Sequence, residues 1–565
     1  MNSKEIIETP IWDLYEKGRN FHRLMGIYVD TDRNYRFYNG NQWEGANLGD
    51  IEPVQKNFIK PIVKYKTSVI HANLYALSFR SENYDTELFQ TEAKHYCKIL
   101  NGYAARTWEK ESMDKKGRAV TKDAAINGEG IMYVTYDKES QMPVCEVVDK
   151  PDVYYGNENT EDIQSQPYIL IRRRMPVVNA IDLALREGLS KKDTKNIIGD
   201  NDTFEQSGDA AKHEVNDAVT VVYKLYKENG TVHYSISTRY QIITEGQDTG
   251  LSLYPVAHFI WETKKGSARG EGEIRWIIPT QIEVNRNEVR RVLAVKHQAF
   301  PKTMYSKNMI SNPGDLNKVG VAIEVDGLVD DVKKAIGTLP PVQMSSDVKQ
   351  LHDDLIQITR ELAGAGDVAT GTVDPESASG KAILTVLRAS EQPVNDQKEG
   401  YKSFVEDIGK IWIDMFVTHS TEGLKIPEKK TDASGGEYYE IVTIPHSVMR
   451  ELRASVKVDV TPKSVYDKFA QEQVLENIFL QGWLNPQHIP ALRAFAETLD
   501  DDSTAPKLKI LELCDRVEET QRQIADISAR AQIMSQRAEQ FFTADPSAQA
   551  QQISDAEMMM ANQGI

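Results

Sequence analysis

Apolar residues in the first 270 positions recur with two different periods. As far as residue 127 they lie three and four apart. This spacing predicts two short helices over 10–39, an amphipathic helix over 57–77 and another helix over about 91–127. From Glu129 the period falls to about two, which predicts strands. We therefore expect an α+β fold in this part of the chain.

A β-hairpin is the clearest local feature that follows. Residues 143–156 continue the strand pattern, and a later helix is predicted to end at Gly188. The segment TVVYKLYKENGTVHYSIST (220–238) then places Asn229 and Gly230 between two alternating runs. Because Asn-Gly suits the tight turns that join antiparallel strands, we expect a two-residue hairpin here.

Two helices flank a Gly- and Pro-containing segment in the middle of the chain. The first is predicted over 279–300 and opens on a proline, which is favoured at a helix start. The second is predicted over 345–364, with Ser345 or Ser346 as its N-cap and a glycine as its stop. Residues 301–343 between them contain only short strand-like pieces.

A long helical segment is predicted after the loop 364–378. It runs from Ser379 to about Ser420, which would span roughly 60 Å at 1.5 Å per residue. Pro393 lies inside this segment and should kink it.

The C-terminal part returns briefly to strands and then becomes helical. Strand periodicity recurs at 436–445 and 454–462. From Ile510 apolar residues alternate three and four apart over more than four heptads, which predicts a helix that packs on neighbours. The composition beyond Pro546 is typical of a disordered tail.

Composition restricts the function. The chain has 565 residues and a formal net charge of −17, which argues against a protein that grips nucleic acid over a broad basic surface. Cys97, Cys145 and Cys514 are too few and too scattered for a disulfide framework. With no signal peptide and no long apolar stretch in the sequence, we expect synthesis in the cytoplasm and no membrane contact.

The loop GAGDVATGTVDPESASGKA (364–382) ends in Ser-Gly-Lys, as a phosphate-binding loop does, but it lacks the other residues of that motif. Ala382 follows Gly380 and Lys381 where Ser or Thr is needed, and Pro375 stands where the first glycine should be. The loop also follows a helix instead of a strand. We therefore interpret Lys381 as an exposed lysine in the first turn of a helix.

Other catalytic signatures are absent from the sequence. It has neither His-Glu-x-x-His nor Gly-x-Ser-x-Gly. Asp353-Asp354 is better explained as a pair of solvated carboxylates than as a two-metal site, because adjacent residues on a helix point in different directions. The triplet Asp500-Asp501-Asp502 is typical of a loop between helices. We expect no enzyme activity, no cofactor and no metal.

Positive charge is concentrated in the first middle helix. Arg286 and Arg290 share a helix face, and Arg291 and Lys296 follow them. These residues could contact phosphate in a channel or a carboxylate of a neighbouring subunit, or form an ordinary solvated face.

The order of these segments resembles the portal proteins of tailed bacteriophages. Local patterns that agree with the family are YNGNQW (38–43), NFIKPIVKYKTSVIHAN (57–73), AAINGEGIMYVTYD (124–137), GEGEIRWIIPTQIEVNRN (270–287) and ATGTVDPESASGKAILTVLRAS (369–390). The resemblance spans nearly the whole chain.

The resemblance implies a structural protein of the virion with a mainly helical α+β portal fold. Copies, usually twelve, would form a ring at one capsid vertex, assembled in the host cytoplasm, and double-stranded DNA would pass through the channel during packaging and ejection. The implied partners are the major capsid protein, the terminase large subunit, and the head-completion adaptor and tail proteins.

The resemblance also divides the chain into regions. They are a wing (1–278), a first stem helix (279–300), a clip (301–343), a second stem helix (344–363), a tunnel loop (364–378), a long kinked wing helix (379–420), a wing β return (421–463), a helical crown (464–545) and a disordered tail (546–565).

Two groups of site residues follow from this division. The DNA-facing residues of the tunnel loop would be Gly366, Asp367, Val368, Thr370, Gly371, Thr372, Asp374, Glu376 and Ser377. The clip residues that contact terminase or adaptor would be Met309, Asp315, Lys318, Asp326 and Lys333. A small, polar and acidic loop would let a moving polyanion slide without holding it.

Two alternatives stay open at this point. The acidic charge and the C-terminal heptads would also suit a capsid scaffolding or other assembly protein, although such a protein should contain less β-structure. A nucleic-acid enzyme, such as a nuclease or nucleotidyltransferase, would need clustered carboxylates at strand ends, whereas the strands here carry mostly Tyr, Val and Lys.

Overall fold

The computed structural model of the chain divides into two compact units, Met1–Pro462 and Lys463–Ile565. Structure is described for residues 8–47, 52–81, 87–200, 217–299, 302–316, 318, 320–327, 335–339, 345–364, 392–420, 423–431, 437–464, 478, 488–498 and 507–543.

Helices and strands alternate along the first unit. Its helices are α1 (Pro10–Leu24), α2 (Ile27–Asn39), α3 (Ile59–Ile70), α4 (Glu87–Lys110), α5 (Met113–Asn127), α6 (Val177–Arg186), α7 (Ile274–Ala299), α8 (Ser346–Leu362), α9 (Asn395–His419) and α10 (His446–Ser455). Its strands are β1 (Asn73–Ser81), β2 (Glu129–Asp137), β3 (Met142–Val148), β4 (Val153–Tyr155), β5 (Tyr168–Pro176), β6 (Ala218–Glu228), β7 (Thr231–Ser237), β8 (Ile242–Asp248), β9 (Val256–Ile260), β10 (Thr303–Tyr305), β11 (Ile336–Thr338), β12 (Leu424–Thr431), β13 (Glu437–Ile444) and β14 (Val456–Ser464). This mixture confirms the α+β expectation.

The strands form two larger antiparallel sheets and several pairs. The order is β3-β2-β9 in one sheet and β4-β5-β6-β7-β8 in the other, while β1 pairs with β14, β10 with β11 and β12 with β13. The hairpin β6–β7 is confirmed, because Glu228 pairs with Thr231 across the turn. Asn229 and Gly230 both have positive φ, 51° and 87°, as a type I′ turn requires.

The main hydrophobic core surrounds α9. Trp412, Phe404 and Phe416 on this helix are almost completely buried and belong to one cluster with residues of α3, α4, α5 and β9. Asp414 ties α9 to the segment before β9, since its Oδ2 accepts hydrogen bonds from the backbone N–H of Ser252 at 2.7 Å and of Leu253 at 2.9 Å. A buried carboxylate with such donors fixes the helix in place.

The predicted helix over 57–77 is wrong in its second half. Helix α3 ends at Ile70, and Asn73–Ser81 forms strand β1, which pairs with β14. Over a short run the apolar residues there fit both the helical and the strand period. Pairing with a strand that is distant in sequence therefore determines the structure.

The helix predicted over about 91–127 is two helices. It starts earlier, at Glu87, and it is interrupted between Lys110 and Met113. Ser112 takes a left-handed conformation with φ 51°, which a continuous α-helix does not allow.

The helix that was predicted to start at Pro279 starts at Ile274 instead. Ile274, Ile277 and Ile278 are buried, so packing extends the helix toward its N-terminus through five further residues. Pro279 lies on the exposed side in the second turn, where it costs the helix one hydrogen bond.

Two 3₁₀ turns lie within other predicted elements. Lys150–Asp152 separates β3 from β4 within the strand region predicted over 143–156. Pro393 lies in the turn Gln392–Val394, and α9 begins directly after it at Asn395. The earlier part of the predicted long helix, 379–391, lies outside the described residues.

The short strands β10 and β11 lie between α7 and α8 in the sequence. Thr303 pairs with Thr338 and Tyr305 with Ile336, so the chain that leaves α7 returns to the start of α8. The predicted cap of α8 is confirmed, because Ser345 Oγ accepts a hydrogen bond from the N–H of Asp347 at 3.2 Å. Gly364 follows the helix with φ 68°.

The second unit contains α11 (Ile489–Thr498) and α12 (Lys507–Thr543). The helix predicted from Ile510 is therefore confirmed. The N-terminal part of α12 contributes Ile510 and Cys514 to a small cluster with residues of α11, whereas Ile524, Ile527 and Met534 are exposed. The tail from residue 546 lies outside the described residues.

Candidate functional site

The four basic residues identified in α7 from sequence fall into two groups. Two of them share one carboxylate on an exposed face, and the other two contact carboxylates elsewhere. Arg286 and Arg290 are each 59% exposed and share Glu283, at 3.5 and 3.1 Å respectively. Arg291 instead contacts Glu288 at 3.0 Å, and Lys296 contacts Glu52 at 2.9 Å. Only Arg286 and Arg290 therefore share the face predicted from their spacing.

An ionic cluster that is buried at Glu288 and His352 joins α7 to α8. Glu288 lies between Lys56, Arg291 and His352, and its Oε1 is 3.0 Å from His352 Nε2. Burial alone would raise the pKa of Glu288, but Lys56 and Arg291 lower this pKa below its usual value. For His352, which is fully buried, burial lowers the pKa more than Glu288 raises it. The cluster fixes the position of one helix against the other.

Two buried amides on α7 hold the segment that precedes α3. Gln281 Oε1 accepts a hydrogen bond from Phe58 N at 3.1 Å, and its Nε2 donates to Lys56 O at 2.7 Å. Asn285 Oδ1 accepts from Lys56 N at 3.2 Å. Sequence reasoning missed these contacts, although the polar pair at i, i+4 among apolar neighbours was a usable signal.

Two of the sequence patterns quoted above, AAINGEGIMYVTYD and GEGEIRW, lie against each other. A Cβ on Gly128 would overlap the carbonyl oxygen of Gly270, and a Cβ on Gly272 would lie 2.6 Å from the carbonyl oxygen of Ile126. Gly128 also has φ 98°. Glycine is therefore required where the backbone after α5 crosses the backbone that immediately precedes α7 in sequence.

A buried arginine lies beside this crossing. The Arg269 guanidinium is 2.9 Å from Glu158 Oε2 and 3.1 Å from Glu129 Oε1, and it stacks on the ring of Tyr155. Burial would raise the pKa of Glu129, but Arg269 and Lys150 hold it well below its usual value. This network is enclosed and internally paired, so we interpret it as structural.

The predicted clip residues lie in or beside the short strand insertion. Asp315 and Lys318 form an ion pair at 2.7 Å, and Asp326 donates its backbone N–H to the carbonyl oxygen of Met309 at 2.8 Å. Lys333 lies outside the described residues. The described part of the insertion thus combines charged side chains with the two short strands β10 and β11.

The predicted tunnel-loop residues Gly366 to Ser377 and the triplet Asp500–Asp502 lie outside the described residues. Asp353 and Asp354 are exposed on α8. Within the part of the chain that the structure describes, no three His, Cys, Asp or Glu side chains converge as a metal site would require. Of the described helices, none is long and apolar enough to cross a bilayer.

The described residues thus combine packed glycines and enclosed ion pairs, which fix the fold, with an exposed charged face on α7. The family model described as phage P22-like portal protein matches residues 28–564. The chain therefore belongs to the phage P22-like portal protein family, which provides the head–tail connector used in DNA packaging. No curated protein matches the chain. Membership of a portal family supports neither the scaffolding protein nor the nucleic-acid enzyme raised from sequence.

Proposed function

We propose that copies of this chain form a ring of twelve subunits at one vertex of the capsid. The channel of the ring conducts double-stranded DNA inward during packaging and outward during ejection. The observation that supports this most strongly is the family match over residues 28–564. The chain supplies no chemistry of its own, and the motor that docks on it supplies the work.

In this proposal α7 and α8 are the two stem helices, and residues 301–343 between them are the clip. The support is the connectivity, because two packed helices enclose a small strand pair that extends the chain locally. The charged clip residues Asp315, Lys318 and Asp326 then face the terminase large subunit during packaging and the head-completion adaptor afterwards. The major capsid protein contacts the wing, which comprises 1–278 and 379–463.

The loop 364–378 is proposed as the tunnel loop. It follows the C-terminus of α8 at Gly364, and its sequence combines glycines with Asp367, Asp374 and Glu376. An acidic, glycine-rich segment beside DNA repels the phosphates, so the duplex can move past it. Residues 464–545 form the crown.

Negative-stain electron microscopy of the purified full-length protein tests the proposal. We expect rings with an axial hole, and a mass by light scattering that is an integral multiple of the 63.8 kDa chain. Isolated rods, small globules or a stable monomer at micromolar concentration would overturn it. A packaging assay with the cognate terminase then asks whether the rings support DNA translocation.

A further inference from the structure

One side of α8 combines carboxylates with exposed aliphatic side chains. The exposed fractions of Leu351, Ile358 and Leu362 are 51%, 53% and 85%. At 3.6 residues per turn the same side carries Asp347, Asp354 and Glu361. We call these six residues the acidic face of α8. The basic residues of this helix, Lys349 and Arg360, lie on its opposite side.

The exposed side of α7 has the opposite sign. Arg275, Arg286 and Arg290 lie on it at i, i+11 and i+15, together with Trp276, which is 65% exposed. Two carboxylates lie beside these arginines: Glu283 is shared by Arg286 and Arg290, and Glu271 pairs with Arg275 at 2.6 Å. We call Arg275, Trp276, Glu283, Arg286 and Arg290 the basic face of α7.

The two faces lie on opposite sides of the helix pair. Glu288 and His352 mark the side on which the helices touch, because their side chains approach to 3.0 Å. Arg286 and Arg290 are each two residues from Glu288, which places them about 160° around α7 from that contact. Asp354 is two residues from His352 and is displaced by the same angle on α8.

The two faces also lie at the same level along the helices. The helices are antiparallel. Ile356, which is C-terminal to His352 on α8, lines a pocket with Phe58. Phe58 in turn is hydrogen-bonded to Gln281, which is N-terminal to Glu288 on α7. Counting from the Glu288–His352 contact, Arg286 and Asp354 are then displaced equally and in the same direction. Trp276 and Leu362 likewise lie at similar levels toward the other end of the pair.

We propose that the acidic face of α8 in one copy docks on the basic face of α7 in the next copy. This inference rests on the proposed ring, and it names the contact that repeats around it. Complementary charge and exposed apolar side chains at equal levels suit a head-to-tail contact between identical chains. A contact without a step along the helix axis lets such a series close into a ring instead of a helical filament.

Charge reversal on each face tests the contact. One variant carries Arg286→Glu and Arg290→Glu, and a second carries Asp347→Lys and Asp354→Lys. Each variant alone should lose the ring peak in analytical ultracentrifugation, because like charges then face each other at every contact. An equimolar mixture should recover rings in which the two variants alternate, and so should a single chain with all four changes.

The exposed pair Asp407 and Lys410 on α9 supplies a matched control, since reversing both charges should leave the rings intact. Thermal melts should show that every variant is folded, because all the altered side chains are exposed. If both variants assemble like the wild type, the docking contact is overturned while the proposed ring stands. If the mixture stays unassembled, the pairing of these two faces is wrong. A wild-type chain without rings would overturn both proposals.

Discussion

At the residue scale, Gly128 is constrained more severely than the other glycines of the helices and sheets around it. Its φ of 98° disfavours any side chain, and a Cβ would meet the backbone of Gly270 and, at 2.8 Å, the N–H of Glu271. Those atoms belong to a crossing of two backbones, which cannot move aside as a flexible side chain could.

We therefore expect Gly128→Ala to lower the free energy of unfolding by more than about 2 kcal/mol. Gly102 in α4 is the matched control, because a Cβ there would meet no atom within 4 Å. Gly102→Ala should raise stability by about 0.5 to 1 kcal/mol through helix propensity. Calorimetric melts of the two variants should shift in opposite directions, and equal shifts would show that the crossing is not tightly packed.

Asp123 is a second residue whose environment has a measurable consequence. It lies on α5 and accepts a hydrogen bond from the hydroxyl of Tyr35 on α2. Burial raises the pKa of Asp123 from 3.8 to about 6, although the bond from Tyr35 opposes this shift. Above pH 6 the folded protein therefore holds an ionised carboxylate in an unfavourable place.

Asp123→Asn should stabilise the protein at pH 8 by about 1 to 3 kcal/mol, because the amide resembles the protonated acid. As pH falls from about 6 to 4, the folded wild-type protein takes up a proton that the unfolded chain does not. The difference in free energy of unfolding between Asp123→Asn and wild type should therefore shrink. Urea titrations at pH 4.5 and pH 8 measure this. Asp137→Asn is the contrast, since hydrogen bonds from Ser140 and the backbone of Glu139 lower the pKa of Asp137. A gap that is constant with pH would contradict the raised pKa of Asp123.

At the element scale, sequence patterns identified the elements whose signals are local. The turn at Asn229-Gly230, the serine cap of α8 and the helices α1 and α2 all follow from residues within one or two turns of each other. Strand β1 could not be recognised in this way. Its apolar residues continue the pattern of α3, and its partner β14 lies at the other end of the unit.

Prolines show how packing modifies a local signal. Pro279 was expected to open a helix, yet buried isoleucines carry α7 back to Ile274. Pro393 was expected inside a helix, and it lies in a 3₁₀ turn directly before α9. In both places the residue restricts the backbone as expected, but burial of neighbouring side chains sets the boundary.

The candidate site was predictable to a similar extent. Arg286 and Arg290 could be placed on one face because i, i+4 spacing is a property of the helix alone. The contacts of Glu288 with Lys56 and His352 could not, since they join residues far apart in sequence. The crossing of Gly128 with Gly270 was invisible for the same reason, although each glycine stood in a pattern shared with the family.

At the scale of the whole molecule, the net charge restricts how copies associate, and the distribution of hydrophobic clusters determines which parts can fold alone. A formal charge of −17 on every copy makes identical chains repel at long range, so association must depend on local complementarity. The core is divided as well. Three hydrophobic clusters belong to Met1–Pro462, while the cluster described in Lys463–Ile565 consists of Ile478, Ile489, Leu492, Ile510 and Cys514.

This division predicts unequal autonomy of the two units. A chain that ends at Ser464 keeps the large core and completes β14, so it should fold and melt cooperatively within a few degrees of the main transition of the full chain. The separate piece 463–565 should show helical circular dichroism but a broad thermal transition, because the hydrophobic cluster of its described residues is small and stabilises helices weakly. Scanning calorimetry of both pieces checks this. Aggregation of the longer piece, or a sharp thermal transition of the shorter one, would contradict this prediction. Either result would show that the separate hydrophobic clusters do not determine which part of the chain is stable alone.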